Sequence, residues 1–256
     1  MRHKLAAQLY TLRNELRRDF PGTLRELARM GWTAVQIDGL HGNDPKEIAA
    51  VMNELGLRTA GMHVGLERMK HDLPAVLEEA RLFGTRDFIC HSLPDALMNP
   101  AGYASVRSDL REAAGKVAGQ GFRVGYHNHD FEFHTRMEGG YALDYVLELD
   151  PGRPVYAEID TYWVKKAGLD PLTYIQAYAN RMPILHLKDM TADEARTFAA
   201  IGTGSIDFVP ILRWGERNGV EWYAVEQDYC PGPPLDSLAL SFDNLMRMET
   251  EIARSV

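Results

Sequence analysis

The sequence predicts an α/β fold, a (β/α)8 TIM barrel forming a single domain over residues 1–256, and three observations carry that expectation. First, a helical pattern that ends at a glycine and leads into a β-rich run recurs five times. The pairs are TLRELARMGW into TAVQID, EIAAVMNELGL into RTAGMHV, VLEEARLFG into TRDFICHS, LREAAGKVAGQGF into RVGYHNH, and ILRWGERNGV into EWYAVEQD. Second, AAQLYTL, PVYAEID and PILHLKD bring the β-rich segments to eight. Third, strands that alternate with helices run parallel through right-handed crossovers, and eight such units in about 250 residues is the usual size of a closed barrel.

Each element has a local reason. Gly31, Gly56, Gly84, Gly121 and Gly219 stand where a left-handed helix C-cap is wanted, because glycine has no Cβ to clash there. The helical stretches carry apolar residues at three- and four-residue spacing, as at Leu24, Leu27 and Ala28. An open doubly wound sheet is the competing architecture, but no GxGxxG opens a helix. Gly202, Thr203 and Gly204 are too few for a phosphate cradle and read as a tight loop after the seventh strand. Trp32, Trp214 and Trp222 lie beside helix ends or strand starts, where packing is their expected role.

Composition narrows the function. A chain of 256 residues that is 45% hydrophobic can bury one sizeable core. Its formal charge of -8 draws no long polyanion, which argues against nucleic acid. Cys90 and Cys230 have no CxxC spacing, so neither a disulfide framework nor a thiolate zinc knuckle is supported. Gln8 and Arg13 interrupt the first apolar stretch before it could serve as a signal or a membrane span, so a cytoplasmic chain without a membrane partner is expected.

Four strand-like segments stop at residues able to bind a divalent metal: VGYHNHD (124–130), YAEID (156–160), ILHLKD (184–189) and YAVEQD (223–228). Side chains alternate by two along a strand. His127 and His129 therefore share a face, as do Glu158 and Asp160, His186 and Lys188, and Glu226 and Asp228. In a barrel of this kind chemistry gathers at the C-terminal strand ends. A single histidine at such a place is more often a hydrogen-bonded structural group, and an aspartate often caps the next helix. Several strands ending this way independently favour a functional site. Gln8, Tyr10, Asp38, His63 and His91 end strands one to four and could hydrogen-bond hydroxyls. Trp163 offers a face for a sugar ring to stack on, or plain core.

From AAQLYTLR through VQIDG, GMHVG, YHNHDFEF, EIDTYWV, ILHLKDM and IGTGSIDF to AVEQDY, the chain resembles the xylose isomerase-like TIM barrels, often called sugar phosphate isomerases/epimerases. The resemblance implies a divalent cation, Mn²⁺, Mg²⁺, Co²⁺ or Zn²⁺, and a small-molecule carbohydrate substrate. By position it implies Asp160, His186 and Glu226 as ligands. At strand five the family's epimerases commonly present a glutamate, whereas this chain has His127 in YHNHD. The reading adopted is His127 as ligand and His129 as the acid/base beside it, with the reverse order as the alternative. Two carboxylates and two imidazoles suit Zn²⁺, Mn²⁺ or Co²⁺ better than Mg²⁺, which prefers oxygen.

Such a site could polarise a carbonyl. Glu226 and His129 are then the candidate bases, with Lys188 or His63 placed to stabilise an enediolate oxygen. A sugar or ketose isomerase/epimerase is the first expectation. A dehydratase or lyase on a keto-sugar, inosose or 3-keto-glycoside is the second, because His-rich strand-five motifs occur in inosose dehydratase-like and 3-keto-glycoside lyase-like members. A barrel that binds sugar without turnover is the third. An apurinic endonuclease is disfavoured by the acidic balance and by the lack of an extra His/Asp/Glu set for a multi-zinc cluster. No basic cluster argues for a phosphate, since Lys165 and Lys166 read as a solvated loop face. The loop YCPGPPLDS (229–237) either borders the site or meets a second copy in a homo-oligomer.

Overall fold

The computed structural model describes residues 1–254. Eight parallel strands close into a barrel: β1 (Leu5–Gln8), β2 (Ala34–Asp38), β3 (Arg58–His63), β4 (Asp87–Cys90), β5 (Arg123–His127), β6 (Val155–Asp160), β7 (Ile184–Leu187) and β8 (Trp222–Val225). Each strand pairs with the next in sequence, and β1 closes the ring on β8 from Leu5 opposite Tyr223 to Ala7 opposite Val225. With helices alternating around it, this is the single-domain TIM barrel that the helix–glycine–strand pattern predicts. Among the described residues no helix is long and apolar enough to cross a membrane.

The glycine reading is met locally. At Gly56, which ends helix Pro45–Leu55, φ is 66°, and the N–H groups of Gly56 and Leu57 return to the carbonyls of Asn53 and Met52. The first β-rich run is shorter than its sequence suggests. Gln8 accepts the Tyr10 amide at 3.0 Å and turns the chain into a helical turn over Leu9–Leu12, so Tyr10 sits on that turn and not on a strand.

Outside the ring, helix Phe20–Arg29 buries Phe20, Leu24 and Leu27, and the last helix, Pro234–Arg254, lays Phe242 against Trp32 at 5.1 Å. Inside it, the apolar plug is thin. Ala6, Ala34 and Ala60 form one group, Ile89, Ile184 and Ala224 another, and Trp222 packs on both. A Cβ on Gly125 would lie 2.3 Å from Ile89 Cδ1 and 3.2 Å from the Tyr156 carbonyl oxygen, so any side chain there would push the plug aside. Below the plug Arg123 grips Asp87 at 2.6 Å and Glu221 at 2.8 and 2.9 Å, tying β4 and β5 to the start of β8. Above the plug, Gln8, Gln36, His127, Glu158, Asp160 and His186 are buried polar side chains.

Candidate active site

The strands β5 to β8 deliver His127, Asp160, His186 and Glu226 to the mouth, all buried, with one donor atom from each within 4.8 Å of the others. Each imidazole has an upper and a lower nitrogen. His186 turns Nδ1 toward Glu226 Oε2 (3.2 Å) and Asp160 Oδ2 (3.9 Å), and Nε2 toward Gln36 Oε1 (2.6 Å) and Glu158 Oε1 (3.1 Å). His127 turns Nε2 toward Asp160 Oδ2 (3.9 Å) and Nδ1 toward Glu158 Oε1 (3.2 Å).

Asp160 divides its two oxygens. Oδ1 caps helix Thr161–Lys166 by accepting the amides of Tyr162 (2.8 Å) and Trp163 (3.2 Å), while Oδ2 is buried without a hydrogen bond. The backbone amide of Asp160 is itself fixed by Asn128 Oδ1 at 2.9 Å. A buried carboxylate oxygen left bare is costly unless a positive charge completes it. The nearest one, Lys188 Nζ, lies 3.1 Å from Asp160 Oδ2, 2.9 Å from Glu226 Oε2 and 2.7 Å from Asp228 Oδ1. Two imidazoles and two carboxylates converging on one point have the donor chemistry of a divalent cation site.

Electrostatics follow from burial and neighbours. Burial pushes the Asp160 carboxyl up to about 6 against the pull of Lys188. Burial would also raise Glu226, but Lys188 and His186 hold it well below the carboxylate range. Desolvation would lower His186, yet Glu158 and Glu226 hold it up at about 10. An imidazolium there competes with a cation for the same oxygens, so cation uptake would release its proton. Burial, with Lys188 nearby, pushes His129 down to about 3, a neutral imidazole.

Glu158 is the residue that sequence reasoning missed as a site member. It is fully buried beneath the quartet and bonds three imidazoles, His63 Nε2 at 2.8 Å as well as His127 and His186, while its second oxygen accepts Gln36 Nε2 at 2.6 Å. Burial opposes its charge, but His186 and His63 keep it ionised well below its usual range. A carboxylate on the far nitrogens of metal-ligating histidines fixes their tautomers and orientation. The period of two that pairs it with Asp160 was the available signal; it gives the face but not the depth.

A cavity of about 210 Å³ opens above these groups, and Tyr10, Asp38, His63, His91, His127, His129, Lys188 and Glu226 all reach its wall, joined by Asp228 and Ser92. Two residues expected to touch substrate stand elsewhere. Gln8 lies beneath the cavity, bonded to Gln36 and 3.0 Å from His63 Nδ1. Trp163 stands behind it, with its ring 5.2 Å from His129 and 5.4 Å from Lys188 Nζ. A further correction concerns the extra metal-type residues the sequence reading does not find: Asp38, His63 and His91 do come together, with donor atoms within 4.8 Å of one another. A larger depression of about 620 Å³ lies at the opposite strand ends around Arg86, Arg123 and Tyr156. Its arginines are already committed to Asp87 and Glu221, so the smaller cavity is the candidate site. The Gly202–Gly204 loop holds no cradle for an anion either, because the amides of both glycines donate to Asp189 Oδ2.

No family model matches the chain. Among solved structures, a sugar phosphate isomerase/epimerase from Parabacteroides distasonis superposes with a TM-score of 0.80 at 23% identity, over 96% of this chain and 94% of that one. The xylose isomerase-like TIM barrel/4-hydroxyphenylpyruvate dioxygenase fusion protein superposes at 0.74 and 14% identity, over 97% of this chain and 43% of its own. The molecule therefore has the xylose isomerase-like TIM barrel fold. Among curated proteins, the inosose dehydratase of Geobacillus kaustophilus is 25% identical over 250 residues, spanning 81% of this chain and 80% of the relative.

Proposed function

We propose that this protein is a divalent-cation-dependent lyase that dehydrates a keto-polyol ring of the inosose class. The observation that carries the reading is the chemistry of the strand-five wall: where an epimerase of this fold commonly presents a carboxylate this chain has His127, and beside it His129, an imidazole whose Nδ1 has no protein partner, lines the same cavity as Glu226. The inosose dehydratase relative supports the same class. His127, Asp160, His186 and Glu226 would hold the cation, which when bound would supply Lewis-acid polarisation of a substrate carbonyl.

The chain's own groups handle the protons. His129 takes the proton from the carbon beside the carbonyl and the C–H electrons shift toward the carbonyl oxygen to give an enolate; those electrons then return to form the new C=C bond as the C–O bond on the next carbon breaks. The imidazolium then gives that proton to the departing hydroxyl, which leaves as water. Lys188 Nζ, held between Glu226 and Asp228, places positive charge where the enolate oxygen gathers negative charge. A second reading, isomerase/epimerase action on a ketose, draws on Glu226 standing at the same cavity as His129 and able to return a proton to the other face.

Incubation with Mn²⁺ and a panel of inososes and keto-sugars in D₂O, followed by NMR and ultraviolet absorbance, separates these readings. Loss of water with appearance of an enolised diketone supports the lyase. Deuterium incorporation without loss of water transfers the assignment to the isomerase, and saturable binding with neither leaves a sugar-binding barrel.

A further inference from the structure

We propose that a second divalent cation binds on the other wall of the cavity, held by Asp38 from the end of β2, His63 from the end of β3 and His91 just beyond β4. This site uses none of the residues of the quartet and stands whether or not the dehydratase reading holds.

Three observations converge on it. The first is proximity: one donor atom from each residue lies within 4.8 Å of the others, with His63 Nδ1 3.3 Å from Asp38 Oδ1. The second is the tautomer that Glu158 imposes. Its carboxylate is 2.8 Å from His63 Nε2, which keeps a proton on that nitrogen and leaves Nδ1, 3.3 Å from Asp38 Oδ1, as the nitrogen a cation would take. That carboxylate–imidazole arrangement is the usual backing of a metal-ligating histidine. Gln8 Nε2 lies 3.0 Å from Nδ1 and 3.4 Å from Nε2, across the ring and off the in-plane direction in which Nδ1 would bind a cation. The third is His91, whose ring stacks on His63 at 5.0 Å and whose Nδ1 is buried without any hydrogen-bond partner.

All three residues line the cavity, so a cation on them keeps coordination positions open toward it. Three protein ligands with an open position is the pattern of a catalytic centre, in contrast to the closed four-ligand shell of a structural one. Two imidazoles and one carboxylate select Zn²⁺, Mn²⁺ or Co²⁺ over Ca²⁺ or Mg²⁺. With Glu158 bonded to His63 on one side and to His127 and His186 on the other, both walls share a backing carboxylate. The ligand class that fits two cations across so small a space is one with adjacent oxygens, such as a carbonyl next to a hydroxyl.

The test is the stoichiometry of Mn²⁺ and of Zn²⁺ on the full chain, stripped with chelator and reloaded, read by elemental analysis and calorimetry. The wild type takes up two ions per chain. His91→Ala and Asp38→Asn each take up one, and Asp160→Asn takes up one. Circular dichroism checks the fold of each variant, and anomalous scattering from wild-type crystals soaked in Mn²⁺ shows a peak beside His91 independently of any variant. A single ion lost in Asp160→Asn but kept in His91→Ala, or a soaked crystal with no peak at His91, overturns the proposal while leaving the quartet intact; Asp38, His63 and His91 are then left to bind substrate hydroxyls. A single ion lost in His91→Ala and kept in Asp160→Asn upholds this site and overturns the quartet.

Discussion

Glu158 gathers contacts that no neighbour in sequence would suggest, joining imidazoles from β3, β5 and β7. Its worth as an orienting group is measurable. Glu158→Gln keeps the shape and one accepting oxygen but removes the charge facing three imidazoles and sets an amide N–H against Gln36 Nε2, and cation affinity is expected to fall roughly 10–100-fold by calorimetry, the usual cost of losing such backing. An unchanged affinity would show that the imidazoles hold their orientation without it. His129 has a different expected signature. His129→Asn is predicted to lower turnover on the productive substrate by about 10²–10⁴-fold, the usual contribution of an acid/base group, while cation uptake stays at the wild-type level. Loss of cation in this variant would instead make His129 a ligand and reverse its assignment with His127.

At the scale of elements, the barrel is stapled at its floor by Arg123, which joins Asp87 on β4 to Glu221 at the start of β8, with Arg86 adding a second guanidinium on Glu221. Burial opposes the charge of Glu221, but the two arginines hold its carboxyl down at about 2 from an ordinary 4.5. A depressed carboxylate stabilises the fold fully above pH 4.5 and loses that contribution as pH falls toward 2. Asp87 does not add to the effect, because burial lifts its carboxyl above the usual range despite Arg123. Since the Glu221 side chain is 39% exposed, solvent screening leaves about 1 kcal/mol of the effect. Urea midpoints should place Glu221→Gln below the wild type by that amount at pH 7, with the gap narrowing steadily to pH 3. A gap independent of pH would show that packing, and not charge, is what the substitution removes.

Asp38, Glu158, Asp160, Glu226 and Asp228 crowd one end of the barrel, with Lys188 the only lysine among them in the described residues. A bound divalent cation relieves that repulsion and favours the folded chain by mass action, about 2.7 kcal/mol at a hundredfold excess over Kd. Thermal melts should therefore rise roughly 5–10 °C between chelator and saturating Mn²⁺ or Zn²⁺ for a chain of this size. Coincident melts would argue against any cation at the mouth. Much of the fold was legible because glycine-terminated helices and β-rich runs alternate with few exceptions, and Asp160, His186 and Glu226 were visible as candidates because they end strands. Depth inside the barrel was not legible. Glu158 and Gln36 alternate with buried apolar neighbours that join the outer core, and parity along the strand gives their face but not their depth, while Gln8 reads like a mouth residue although it lies under His63. Nor did spacing reveal how closely Asp38, His63 and His91, which end or follow the neighbouring strands β2, β3 and β4, bring their donor atoms together.

The metal-type groups at the mouth divide by halves of the chain. Asp38, His63 and His91 come from the first four strands, and His127, Asp160, His186 and Glu226 from the last four. Neither half alone encloses the space between them; the seams β4–β5 and β1–β8 do. A nascent chain thus carries the candidate ligands of one wall before those of the other exist, and the cavity is enclosed only once Tyr223 to Val225 pair with Leu5 to Ala7.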